Sequence, residues 1–320
     1  MEQRMEKKKM SVSLKKNKPL IVLFLIIAIM TVASTVFLTP GNLLTVLLQT
    51  SYNAILAVGI SFTILIGGID LSIGSVLAFS SAIGALLLTQ GWPLFAVLLL
   101  ILALGTLLGF LNGLLVSYGR LQAFIATLGT MSLWRGLTLV ITQARPISIR
   151  KAPAADAFCF IGSGSVLGVP VPVWIMVLVF LLAYVILRHL RIGRYLYAIG
   201  CNEEAALYSG IQTQKVKLFA FSISGLLASL AGIIVTARLS SATPTAGTAY
   251  EMDAIAAAVL GGVSMAGGKG NIRGIAVGAL IIGILSNALN LLNIGSYYQG
   301  VVKGIVILIA VLLDRGESQK

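Results

Sequence analysis

The residues with chemistry to offer are polar side chains set inside apolar stretches. Asp70 and Ser72 stand in the run Gly67-Gly68-Ile69-Asp70-Leu71-Ser72-Ile73-Gly74-Ser75, between two apolar segments. Two uses fit them. One is capping the helix that follows, because a carboxylate or hydroxyl accepts the backbone N–H groups left free at a helix start. The other is a place in a solute path or a subunit contact. Gln49 and Asn53 fall one helical turn apart on one face, as do Asn287 and Asn290, while Asn112 lies on an earlier segment. Such amides suit an uncharged, hydroxyl-rich solute, and they also serve interhelical packing. Arg135, Arg238, Glu251, Asp253 and Lys303 lie in or at the edge of apolar segments, toward one end. A charge at mid-bilayer costs roughly 2.5–3.5 kcal/mol on insertion scales, so it meets a partner or a water-filled cavity. These five fit ion pairs between helices or contacts with a soluble partner outside.

No catalytic constellation accompanies them. His189, the one histidine, is flanked by Arg188 and Arg191 and has no second His or Cys at metal-ligand spacing. The stretch Gly262 to Gly270 ends in Gly-Lys-Gly and lacks the Ser/Thr of a phosphate loop. The expectation is a chain with no enzymatic activity, no metal site and no cofactor of its own.

The elements that must hold these residues follow from composition. Of 320 residues, 58% are hydrophobic and 10% charged, and mean hydropathy is +1.00. A soluble domain carries about 25% charged residues, so a water-soluble enzyme, a disordered chain and a nucleic-acid-binding module are excluded. Spans of about 20 apolar residues are expected at 20–38, 43–66, 73–89, 92–117, 121–142, 171–187, 218–237, 252–266, 273–292 and 298–313. The fold class is all-α: a polytopic transmembrane bundle of about ten spans. The domain plan is a basic tail 1–19, a permease domain 20–313 and a short tail 314–320, with an outer loop 143–170 and an inner loop 188–217. Seventeen basic residues fall in the segments assigned inside and three (Arg145, Arg150, Lys151) in those assigned outside. By the positive-inside rule both termini are cytoplasmic. The same bias accounts for the net charge of +13 without a polyanion. The basic tail reads as a topology anchor, with lipid binding as the other reading. Cys159 and Cys201 fall in loops on opposite sides and cannot pair.

Glycine concentrates inside spans, as in the pair Gly105/Gly109 and in Gly278 and Gly283. Small residues let helix backbones approach closely in lipid. Two stretches differ: Gly67 to Ser75, and Gly261-Gly262-Val263-Ser264-Met265-Ala266-Gly267-Gly268-Lys269-Gly270. Each ends an apolar span on a Gly-Gly pair. With Asn112 and Asn287 later in each half, they hint at an internal repeat, a common transporter device.

The inner loop contains Glu203-Glu204-Ala205-Ala206-Leu207-Tyr208-Ser209-Gly210 in a short amphipathic helix among basic residues. This resembles the EAA-and-glycine coupling motif of bacterial ABC importer permeases. Further stretches are similar to the ribose-type sugar branch of that family: Gly67 to Ser75, Phe124 to Gly129 with Arg135-Gly136, Pro172-Val173-Trp174, Leu226 to Gly270, Asn290-Leu291-Leu292 and Ser296 to Gln299. The resemblance covers nearly the whole chain beyond Leu20. It implies that Glu203, Glu204, Ala205, Ala206 and Gly210 form the helix that docks in a groove of a cytoplasmic ATPase. It further implies an ATPase with tandem nucleotide-binding halves that holds the ATP and Mg, a soluble sugar-binding protein outside, a second permease copy and a bacterial inner-membrane location. The expected function is ATP-driven import of ribose or a related monosaccharide. The alternatives are a same-family permease for another sugar, a furanosyl signal or a branched-chain amino acid, an ion-driven secondary transporter, and a non-transporting scaffold.

Overall fold

The computed structural model describes residues 18–295, 298–305 and 308. Its helices are α1 (Lys18–Ala33), α2 (Pro40–Leu65), α3 (Ile73–Thr89), α4 (Leu94–Ser117), α5 (Ala123–Thr142), α6 (Ala155–Ser163), α7 (Val171–His189), α8 (Arg191–Cys201), α9 (Glu203–Tyr208), α10 (Thr213–Leu239), α11 (Tyr250–Leu260) and α12 (Ile272–Leu291). Residues 298–305 are also helical. Four two-residue strands complete the described chain: β1 (Ile147–Ser148), β2 (Ser165–Val166), β3 (Val169–Pro170) and β4 (Ser241–Ala242). The architecture is all-α and multi-pass.

Local sequence sets the breaks. Pro40 opens α2 at its first turn, where its missing N–H is not needed. Gly67 closes α2 in the left-handed conformation (φ 78°), and Gly67 N–H and Gly68 N–H return to Ile64 O and Thr63 O, each at 2.9 Å. That pairing satisfies carbonyls the helix end would leave free. Pro93 stands before α4, and Pro170 and Pro172 frame the start of α7.

Six helices, α2, α4, α5, α7, α10 and α12, are long and apolar enough to cross a membrane. The expected segment 20–38 is helical only to Ala33. The segment 252–266 is helical only over the 11 residues of α11, about 16 Å at 1.5 Å per residue, roughly half a bilayer core. The apolar run continues to Ala266, but Gly262 (φ 84°) turns the backbone and ends the helix.

α10 is the axis of the bundle, packed most closely against α4 and then α2 and α3. Two-thirds of its apolar window (67%) is buried, against 28% for α4, α5 and α7, which line the outside. The α4–α10 seam rests on the expected glycine pair: Gly105 and Gly109 sit directly on Gly225, with Ser229 and Phe221 above and below. Gly278 of α12 lies against Ala257 of α11, and Gly283 against Thr50 of α2.

The loops divide between two faces. β1 pairs antiparallel with β4, tying residues 143–170 to the segment after α10. On the opposite face the 188–217 segment forms α8 and α9.

Candidate functional site

Asp70 is 1% exposed and holds a network together. Its Oδ1 accepts Ser72 N–H at 3.0 Å and the Ser72 hydroxyl at 2.6 Å. Its Oδ2 accepts the Ser224 hydroxyl of α10 at 2.7 Å. Ser72 Oγ in turn accepts Asn112 Nδ2 of α4 at 2.7 Å. Each hydroxyl polarises the next bond, so the chain is stronger than its members taken singly. Thr127 of α5 donates to Ile69 O at 3.0 Å. The 66–72 turn is thus bound to α4, α5 and α10 at once. Asp70 both steadies the start of α3 and joins it to α10. Among the described residues no cation lies within ion-pair distance of it.

The two Gly-Gly stretches meet. Gly268 N–H donates to Leu65 O at 2.9 Å, and Gly267 lies against the backbone of Gly67. Gly200 of α8 fits into the same junction, touching Leu65 O and Gly268. Tyr197 Oη donates to Gly270 O at 3.0 Å. Side chains at Gly200 or Gly267 would hold these backbones apart, whereas Gly67 is required by its left-handed backbone.

α8 carries α9 directly. Asn202 caps α9 by accepting Ala205 N–H at 2.9 Å. Ala206 is buried on the chain, whereas Glu203, Glu204 and Ala205 are exposed and Tyr208 stands 89% exposed. Gly210 ends the helix at φ 82° with open space around it. Lys217 at the start of α10 bridges to Glu203 at 2.6 Å. A cavity of about 1010 Å³ opens between these parts: Gly67, Gly68 and Ile69 line it on one side, and Glu203, Leu207 and Lys217 on another.

The remaining sequence candidates scatter. Asn53 is buried on α2 with its Oδ1 unpartnered, and Gln49, one turn earlier, is half-buried. Asn287 exchanges two hydrogen bonds with Asn42, at 2.9 and 3.1 Å. Asn290 is exposed and accepts from Gln299 at 2.8 Å. Of the seven path candidates the fold therefore joins Asp70, Ser72 and Asn112 only.

The charged group engages the chain itself. Arg135 Nη1 donates to Pro244 O at 2.8 Å and Ala246 O at 2.7 Å. These bonds draw the 243–249 loop into the bundle, where Gly247 packs on Gly74 in the first turn of α3. Half-buried Glu251 also lies beside Gly74, and Tyr250 stacks on Tyr52 with ring centres 5.6 Å apart. The beginnings of α3 and α11 therefore meet inside the bundle. Asp253 and Lys303 pair at 2.6 Å. Arg238 is half-buried in the last turn of α10.

Sequence reasoning missed Ser224, Asn42, Lys217 and Tyr52. Lys217, a basic residue at the start of α10, was the one signal available. The others required the three-dimensional pairing.

Six membrane-capable helices, a short interrupted helix and a buried polar turn define a multi-pass membrane protein with the build of a transport permease. The chain belongs to the family described as "Branched-chain amino acid transport system / permease component", whose model matches residues 42–311. It is 54% identical over 298 residues to the ribose import permease protein of Haemophilus influenzae, covering 93% of this chain and 92% of that one. The ribose import permease protein of Bacillus subtilis is 50% identical over 305 residues, covering 95% and 94%. The D-allose transport system permease protein of Escherichia coli K12 is 42% identical over 280 residues, covering 87% and 85%. No solved structure matches the chain.

Proposed function

We propose that this chain is the membrane permease of an ATP-driven ribose importer. The observation that carries this is identity of 50% or more, over nearly the full length of both chains, to proteins named for ribose import. Identity to the allose permease is lower, and that difference supports ribose over other sugars. The chain lies in a bacterial inner membrane with both termini cytoplasmic and crosses it about ten times: α1, α3, the helix at 298–305, and α11 taken together with the non-helical residues that follow it add to the six long spans. Two copies share a cytoplasmic ATPase with tandem nucleotide-binding halves, which holds ATP and Mg, and a soluble sugar-binding protein docks on the opposite face.

In this reading α9 docks in the ATPase through Glu204, Ala205 and the turn at Gly210. The Glu203–Lys217 bridge ties α9 to the start of α10. Ser224 lies two helical turns further along α10 and holds Asp70. A shift of α9 therefore reaches the turn at Gly67 to Ser72, which lines the cavity beneath it. The neutral polar groups along α2, Gln49 and Asn53, offer the sugar hydrogen bonds without charge. Arg135, Arg238 and Glu251 shape the face that receives the binding protein.

The test is uptake of labelled ribose in a strain without other ribose transport, complemented with this chain and its ATPase and binding protein. Competition by unlabelled ribose but not by D-allose or D-xylose is expected, with loss on ATP depletion. Uptake that survives ATP depletion and collapses with an uncoupler sinks the reading in favour of an ion-driven transporter.

A further inference from the structure

A second cleft, of about 370 Å³, lies at the membrane edge between the end of α7, α8 and the start of α12. Its size is within the range of small-ligand sites. Its wall carries Arg188, Arg273, Tyr184, Tyr197 and Asn271. The Arg273 guanidinium lies over the Tyr184 ring, 5.7 Å from its centre, which holds a planar cation in place. Asn271 Oδ1 accepts Arg273 N–H at 3.1 Å and caps α12, so the positive end of a 20-residue helix faces the same space. Tyr197 is fixed by its bond to Gly270 O. Burial pushes its phenol above the ordinary value, and the charge of Arg188 pulls it back down. Neither arginine has a carboxylate within ion-pair distance among the described residues.

Trp174, Val177 and Leu181 are exposed on α7 at 47%, 42% and 58%. With Tyr184 and Arg188 they follow the three-and-four spacing of one helix face. An outward apolar stripe therefore runs along α7 and ends in the cationic cleft. A free anion needs the cleft only, whereas a phospholipid uses both halves.

We propose that this cleft binds the phosphodiester headgroup of an anionic phospholipid, with its acyl chains along the outward stripe of α7. Arg188 and Arg273 clamp the phosphate, and the cleft tethers α8, and with it α9, to the lipid boundary. The site does not depend on which solute the chain carries.

The test is native mass spectrometry of the full chain, purified with whatever subunits accompany it, delipidated, and titrated with phosphatidylglycerol, phosphatidylcholine or inorganic phosphate. Phosphatidylglycerol is expected to bind more tightly than phosphatidylcholine of equal chain length. The R188Q/R273Q variant should weaken phosphatidylglycerol binding about thirtyfold and phosphatidylcholine binding much less, because the choline cation already offsets much of the attraction to its phosphate. The milder R188K/R273K variant, which keeps the charge and the fold, should lose severalfold, because lysine cannot make the planar, two-pronged contact. Undiminished phosphatidylglycerol binding in both variants overturns the site. If inorganic phosphate displaces phosphatidylglycerol or protects the chain against heat equally well, the occupant is a free anion and the lipid assignment is wrong.

Discussion

The seam between α4 and α10 and the turn after α9 are both built on glycine, for opposite reasons. At Gly225 the neighbouring backbone leaves no room: a Cβ would meet Gly105 O, and would sit 2.8 Å from Gly109 N. At Gly210 there is open space, and the constraint is the backbone itself, at φ 82°. The seam is packing without tolerance, whereas the turn is conformation without packing. The difference extends to the polar groups. Around Asp70 they pair with one another inside the bundle, Asn112 Oδ1 excepted, while on α9 Glu204 faces outward. One region holds the bundle together, and the other is free to meet something else.

The largest effect should come from Gly225→Val. Side chains there must push two backbones apart, and overpacking of this kind costs roughly 3 kcal/mol or more. Loss of the folded species in fluorescence-detected size-exclusion chromatography is expected. Gly210→Ala should cost only about 1–2 kcal/mol, the left-handed penalty, and should leave the folded peak intact. Equal damage from both would break the comparison.

Next is the buried ion pair. Asp253 and Lys303 side chains are 7% and 24% exposed, so Lys303→Met strands a buried carboxylate. A loss of about 3 kcal/mol is expected, read as a lower thermal midpoint in detergent. The double variant with Asp253→Asn should recover much of it. No recovery would mean that Lys303 acts through its packed stem and not its charge.

Asp70→Ala comes third. It leaves the hydroxyl of Ser224 and the N–H of Ser72 buried without acceptors, at a cost of roughly 2 kcal/mol. Asp70→Asn, which keeps one acceptor oxygen, should cost less. Uptake should fall further than stability predicts if the turn transmits motion. A parallel fall in both would leave Asp70 with a packing role.

How much of this was legible follows the same division. Hydropathy placed α2, α4, α5, α10 and α12 to within a few residues, because burial in lipid is a property of one segment at a time. It failed at α11, since averaging over Ala254 to Ala266 hides the turn at Gly262. The Gly105/Gly109 pair was readable because small residues at four-residue spacing have one common use in a bundle. Their counterpart Gly225 was not, as nothing in Phe221 to Ser229 points to α4. Asp70 stood out for its cost. Its partner Ser224 did not, being one of many serines and 154 positions away. Arg135 was marked for an ionic role, but it meets backbone carbonyls, which leave no signature in side-chain charges.

The smallest stability effect, and the sharpest separation of the two regions, is expected at the bridge between them. Glu203 and Lys217 pair at 2.6 Å with side chains 47% and 17% exposed. An exposed pair of this kind is worth about 0.5 kcal/mol, screened by salt. Glu203→Gln should therefore leave the thermal midpoint nearly unchanged. If α9 drives α10 through this bridge, the same variant should hydrolyse ATP at an ordinary rate with its ATPase while importing less ribose per ATP. Raising ionic strength should weaken the parent chain in the same direction and leave the variant unaffected. A variant with unchanged uptake per ATP at low and high salt would remove the bridge from the coupling path. The backbone junction of Gly67, Gly200 and Gly267 would then be the connection between α8 and the buried turn.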